Sequence, residues 1–133
     1  MEQTVKYLSS AWRDEAEKLI KENITPEMMK NSTVAMSNEY LNCPDGTAKY
    51  LFMKFTGGQL ETIEVGEGLA PEADFKVTAD YAIYIKIAKE EMTGQFAVMN
   101  GKMRVRGNMM TAMKLSSVRE KTTKLLAAIP TEY

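Results

Sequence analysis

The chain has 133 residues, 26% of them charged, and a net charge of −1. A chain of that length forms one domain burying roughly two-thirds of its unfolded surface, and near-neutrality excludes an overall electrostatic drive toward nucleic acid or strongly charged partners. With no histidine, histidine-dependent triads and zinc sites are excluded, while the lone Cys43 excludes an internal disulfide or a thiolate metal cluster and fits a reducing compartment.

In chain order, "MEQTVKYLSSAWRDEAEKLI" lacks the basic segment and apolar run of a signal peptide, and no window approaches the roughly 20 apolar residues of a membrane span. With an ending, "TEY", that is not a peroxisomal address, the expectation is a soluble, cytoplasmic protein. Val5, Leu8, Trp12, Ala16, Leu19 and Ile20 fall on one side at helical spacing, which predicts an amphipathic first helix. "TPEMMKN" predicts a short second helix with Thr25 as cap and Pro26 at its first position.

From residue 34 the period becomes two. "VAMSNEYL", "AKYLFMKFT" and "QLETIEV", separated by turns at "NCPDGT" and Gly57–Gly58, predict a three-stranded antiparallel meander. "GEGLAPEA" breaks the pattern, and "DFKVTA" predicts a fourth strand reached by crossing over. "DYAIYIKIAKEEMTG" predicts a helix capped by Asp80, striped by Tyr81, Ile85, Ala88 and Met92, and ended by Gly94. "QFAVMNG" leads into the strand "KMRVRG"; Asn108 caps a methionine-bearing helix. Val118, Thr122, Leu125 and Ile129 trace a last helix ended by Pro130. The fold class is α+β, one domain over residues 1–133, with a five-stranded, largely antiparallel sheet covered by helices.

Few groups suggest chemistry. Cys43 precedes Pro44 in a turn and has no histidine to activate it. "GEGLAP" lacks the third glycine of a dinucleotide loop and places Glu67 where phosphate would approach. Glu90 and Glu91 point about a hundred degrees apart on a helix, unsuited to acting as a cooperating acid and base. Strand "KMRVRG" sets Lys102, Arg104 and Arg106 on one side and Met103 and Val105 on the other; without exposed aromatics for stacking this is no nucleic-acid surface. No catalytic residue, metal site or cofactor is expected. What remains is the concentration of methionine, 11 in all, with Met99, Met103, Met109, Met110 and Met113 close together. An unbranched thioether adapts to ligands of different outline as readily as it fills a core.

"FAVMNGKMRVRGNMMTAMKL", residues 96–115, resembles the signature region of the sterol carrier protein family, the non-specific lipid-transfer domain. There an apolar helix leads through Asn/Ser-Gly-Lys into an alternating basic strand, then Gly-Asn/Asp and a Met- or Leu-rich helix. The element order agrees along nearly the whole chain, and the absence of a peroxisomal tail makes it look like the stand-alone prokaryotic members. The resemblance implies an apolar tunnel between sheet and helices that takes fatty acids, acyl-CoA or sterols. On that basis the expected lining is Phe96, Met99, Met103, Val105, Met109, Met110 and Met113, with Ile83, Ile87, Leu125 and Ile129 from the flanking helices. Lys102, Arg104 and Lys114 are candidates for attracting an anionic headgroup.

Two functions lead, with a third, an enzyme acting on an acyl substrate, disfavoured because no catalytic constellation is visible. The first is non-catalytic binding or carriage of a long-chain lipid or acyl ligand, with transient membrane contact and Trp12 as either interfacial anchor or core residue. The second is a protein-interaction or regulatory module on the same fold with a filled cavity.

Overall fold

The computed structural model describes residues 3–133. Ser9 sets the start of the first helix: its side chain accepts from the Trp12 amide at 3.2 Å, satisfying one of the free donors there, and α1 runs Ser10–Asn23. The predicted helix thus begins too early. Leu8 has a φ of 62°, which a right-handed helix cannot continue through, and Val5 lies in a two-residue strand, β1 (Val5–Lys6). Trp12, Ala16 and Ile20 are buried as expected. Thr25 does cap, accepting from the Met28 amide at 3.2 Å. The expected second helix, however, amounts to turns that end where Lys30 and Asn31 both adopt φ of 54°.

Strands β2 (Val34–Leu41), β3 (Lys49–Thr56) and β4 (Gln59–Glu67) form the predicted meander, with both pairings antiparallel. At the second turn Gly58 has a φ of 83°, and a Cβ there would lie 2.7 Å from the Pro26 Cα, so both backbone and space call for glycine. The chain then crosses to β5 (Phe75–Asp80), parallel to β2. β6 (Met103–Gly107) runs antiparallel to β5, giving a mixed sheet in the order β4-β3-β2-β5-β6 with β6 at one edge. The α+β class and five strands agree with the sequence.

Register sorts the side chains onto two faces. Met36 pairs with Phe75, Asn38 with Val77, Tyr40 with Ala79, and Val77 in turn with Val105; these residues face the helices. Ser37, Glu39, Lys76, Thr78, Arg104 and Arg106 face the other way. Ser37 is nonetheless fully buried, because the crossover loop passes over it and its hydroxyl donates to the Pro71 carbonyl at 3.1 Å.

Asp80 sits at the N-cap of α2 (Tyr81–Ala88), although its carboxylate accepts from the Asn42 side chain at 2.8 Å and not from α2's amides. The predicted stop at Gly94 is too late: α2 ends at Ala88, and Glu90 takes the left-handed turn with φ of 61°. Gly94 instead begins α3 (Gly94–Met99), capped by Thr93. Asn108 caps α4 (Met109–Lys114) as expected. In α5 (Ser116–Ala127) Ile129 falls just beyond the helix. After Pro130 comes β7 (Thr131–Glu132), parallel to β1.

Two apolar clusters result. In the main one, Trp12 and Ile20 of α1, Leu115 and Val118 around α5, and Met36 and Phe75 of the sheet pack together. A smaller one, of Val77, Ala79, Ala97 and Met103, has Ile83 and Ile87 of α2 packed against it. Tyr84 and Val105 touch both. Among the described residues, no helix is long and apolar enough to cross a membrane.

Candidate functional site

Met103 and Val105 reach the helix side of β6 because they alternate with Lys102, Arg104 and Arg106. Met103 is buried and Val105 half-buried, and together with Ile83 and Ile87 they belong to or pack against the smaller cluster. Leu125 and Ile129 belong with the main cluster. The remaining expected lining residues are exposed: Phe96 and Met109 by about half, Met99 by 76%, Met110 by 83% and Met113 by 74%. They sit on α3 and α4, the helices that enter and leave the edge strand β6, as exposed apolar side chains before and after it that make up a methionine rim. The structure thus separates the expected lining into buried and half-buried residues around the two clusters and an outward rim.

The basic residues divide as well. Lys102 and Arg104, with Arg106 and Lys76, line an open groove of about 910 Å³ on the face of the sheet away from the helices. Lys76 is tied to Glu39 at 3.4 Å, whereas Lys102, Arg104 and Arg106 form no ion pair with a described residue. Lys114 is exposed at the end of α4. Cys43 is buried, its thiol donates to the Tyr40 carbonyl at 3.5 Å, and burial pushes its pKa up. That shift is opposite to the one a nucleophilic thiol needs.

Three polar residues within the helix-side packing were not anticipated. Asn38 lies on the helix-facing side of β2. The Tyr84 hydroxyl lies 3.4 Å from the Asn38 side-chain oxygen and donates at 3.2 Å to the Val77 carbonyl. On α5, the Arg119 guanidinium stacks over the buried Phe75 ring at 5.1 Å from its centroid and donates to the Ala112 carbonyl at 3.3 Å. Burial pushes the Arg119 pKa down, against an opposing influence from Tyr84. A signal for Arg119 was present: it falls in the stripe Leu115, Val118, Arg119, Thr122, Leu126, where helical spacing calls for an apolar side chain.

Residues 30–120, from the turn before β2 into α5, match the model of the SCP-2 sterol transfer family. The chain belongs to that family. Over 60 residues it is 37% identical to the oleate-induced peroxisomal protein POX18 of Candida maltosa, a match covering 45% of this chain and 47% of that relative, about half its length. A crystal structure of sterol carrier protein 2 superposes with a TM-score of 0.81 at 16% identity, covering 93% of this chain and 99% of the other. The solution structure of palmitated SCP2L2 from Aedes aegypti gives 0.59 at 18% identity, covering 83% and 93%. At these identities the structures establish a common sterol carrier fold. The family match includes the smaller cluster, the methionine rim and Arg119.

Proposed function

We propose that this sterol carrier family member binds and carries a long acyl chain, without covalent chemistry, in the seam where its two apolar clusters meet at Tyr84 and Val105. The division of the helix-side core is the observation that carries the reading. A seam between two clusters parts more readily than one continuous core, because fewer contacts cross it. Opening it in an empty protein costs about 24 cal/mol per Å³ of cavity; a buried acyl chain offsets this with about 0.8 kcal/mol per methylene. In this reading the ligand meets Ile83, Ile87, Met103, Val105, Leu125 and Ile129 inside. Phe96, Met99, Met109, Met110 and Met113 form the mouth through which it enters.

The palmitate in the Aedes structure and the oleate-induced expression of the Candida relative support an acyl cargo. Membrane contact during exchange belongs to the same reading: exposed methionines suit the interfacial layer, and Lys102, Arg104 and Lys114 suit anionic headgroups at its surface. The protein acts as one domain in a reducing compartment, the cytoplasm, on the ground of its unpaired thiol.

The test is native mass spectrometry of gently purified protein, followed by titration with a fluorescent fatty acid. A co-purified acyl species, or saturable one-to-one uptake, supports the proposal. An empty protein that refuses the probe overturns it and favours the second reading, an interaction module whose exposed methionine rim meets another protein.

A further inference from the structure

A half-buried cation without a counter-ion needs an explanation, and Arg119 is one. Its guanidinium lies over Phe75, which is only 1% exposed, and donates at 3.3 Å to the carbonyl of Ala112, itself buried. Five N–H donors in a rigid fork suit a carboxylate or phosphate, yet no described carboxylate lies within ion-pair distance. Partial burial opposes a guanidinium here, and an anion beside it would relieve that opposition.

The neighbouring polar groups point the same way. Tyr84, which touches both clusters, is electrostatically linked to Arg119. Its single proton is directed to the Val77 carbonyl or to Asn38, while its oxygen still has room to accept. The Asn38 side-chain nitrogen has no hydrogen-bond partner among the described residues. A cation, a hydroxyl and an amide thus border an otherwise apolar interior, whereas Lys102 and Arg104 lie on the opposite face of the sheet.

We propose that half-buried Arg119, with Tyr84 near it and Asn38 next to Tyr84, forms an anchor for the carboxylate of a bound fatty acid. The site makes the protein select ionised acyl ligands over neutral ones of equal length. This rests on the proposed function, since it needs a ligand in the seam.

The experiment compares palmitate with hexadecanol, which share a chain and differ in the head. Wild-type protein is expected to prefer palmitate. Arg119→Gln should weaken palmitate about ten- to a hundredfold, the range for a lost hydrogen bond to a charged group, and leave hexadecanol within about twofold; Arg119→Lys should restore part of the loss. Palmitate labelled at its carboxyl carbon gives a second readout by NMR: ionised at neutral pH in wild type, protonated in Arg119→Gln. Equal losses for the two ligands, or an unchanged palmitate affinity and carboxyl signal, would overturn the anchor while leaving acyl binding standing. Wild-type protein that takes up neither ligand would overturn the binding proposal itself, and the anchor with it.

Discussion

The rings of Tyr40 and Tyr84 lie 4.0 Å apart between centroids, tilted by 41°. This contact joins the middle of the sheet to α2, and the Tyr7 hydroxyl extends it by donating to that of Tyr40 at 3.3 Å. Burial chiefly, and neighbouring tyrosines or Glu39 after it, raise all three pKa values above the ordinary range.

An alkaline limit to stability follows. The unfolded chain loses these protons near pH 10, before the folded protein does, so their contribution is intact below about pH 10 and falls as the pH rises further. The slope is about 1.4 kcal/mol per pH unit for each hydroxyl kept neutral. Urea midpoints measured alongside tyrosinate absorbance check this: these tyrosines should ionise only as the protein unfolds.

Two glycines flanking the same strand should respond differently to alanine. Gly107 has a φ of 109°, and a Cβ there would lie 2.8 Å from the Phe75 Cα; Gly101 has a φ of 71° with open space around it. Gly107→Ala is expected to destabilise by roughly 2–4 kcal/mol through backbone overlap, and Gly101→Ala by only about 1–2 kcal/mol of dihedral strain. Chemical denaturation distinguishes them, and equal losses would show that β5 gives way easily.

Trp12 is 1% exposed and meets Tyr7 edge to face at 5.0 Å, which favours a core role over an interfacial one. Trp12→Ala is expected to cost about 3–5 kcal/mol. At a temperature where the variant remains folded, its binding to vesicles should match wild type. A selective loss of vesicle binding would return α1 to the membrane.

The methionine rim gives the reverse expectation. Met99→Ser, Met110→Ser and Met113→Ser should each change stability by no more than about 0.5 kcal/mol, because those side chains pack little. Combined, they should slow transfer of a fluorescent fatty acid to vesicles several-fold. Unchanged transfer would remove the rim from the entry route.

Lys102, Arg104 and Arg106 stand close together on one side of β6 without ion-pair partners. Replacing them with Gln should leave stability unchanged or slightly higher, as like charges are separated. It should also weaken binding to vesicles containing phosphatidylserine by about fivefold for each cation removed, with little effect on neutral vesicles. Vesicle flotation at two salt concentrations reads both effects.

The sheet was legible because alternation and turn chemistry agree. Val34, Met36, Leu51, Met53, Phe55 and Ile63 alternate onto the core face within strands bounded by "PDG" and "GG", while Leu41, Tyr50 and Phe52 fall on the other, so register follows from the dominant pattern. The errors lie at helix ends. Val5 and Leu8 fit the spacing of α1, but spacing ignores the left-handed backbone of Leu8 and the competing cap at Ser9. Gly94 was the conspicuous terminator for α2, yet Glu90 took the left-handed position at the cost of strain. Two-residue strands such as β1 and β7 are too short to carry a period.

The site was only half legible. That Met103 and Val105 turn inward follows from strand alternation, whereas the exposure of Met99, Met110 and Met113 depends on what lies over α3 and α4. The position of Arg119 in an apolar stripe was readable, but a charged residue on a helix is ordinarily assigned to solvent. Its stacking on buried Phe75 identifies it as packed against the core and not fully solvated.

The pairing of Val5 with Thr131 joins positions separated by almost the whole chain. Closing so long a loop before the intervening sheet has formed loses entropy with nothing gained in return, so this ladder zips last in folding and frays first. Tyr7 follows directly on β1, and its ring touches Trp12, Tyr40, Tyr81 and Tyr133. Each fraying event therefore loosens the end of the aromatic stack that leads to Tyr84. The Val5 and Tyr7 amides, bonded to Pro130 and Glu132, should exchange with solvent well before the amides of β2, reporting how often that end of the interior opens.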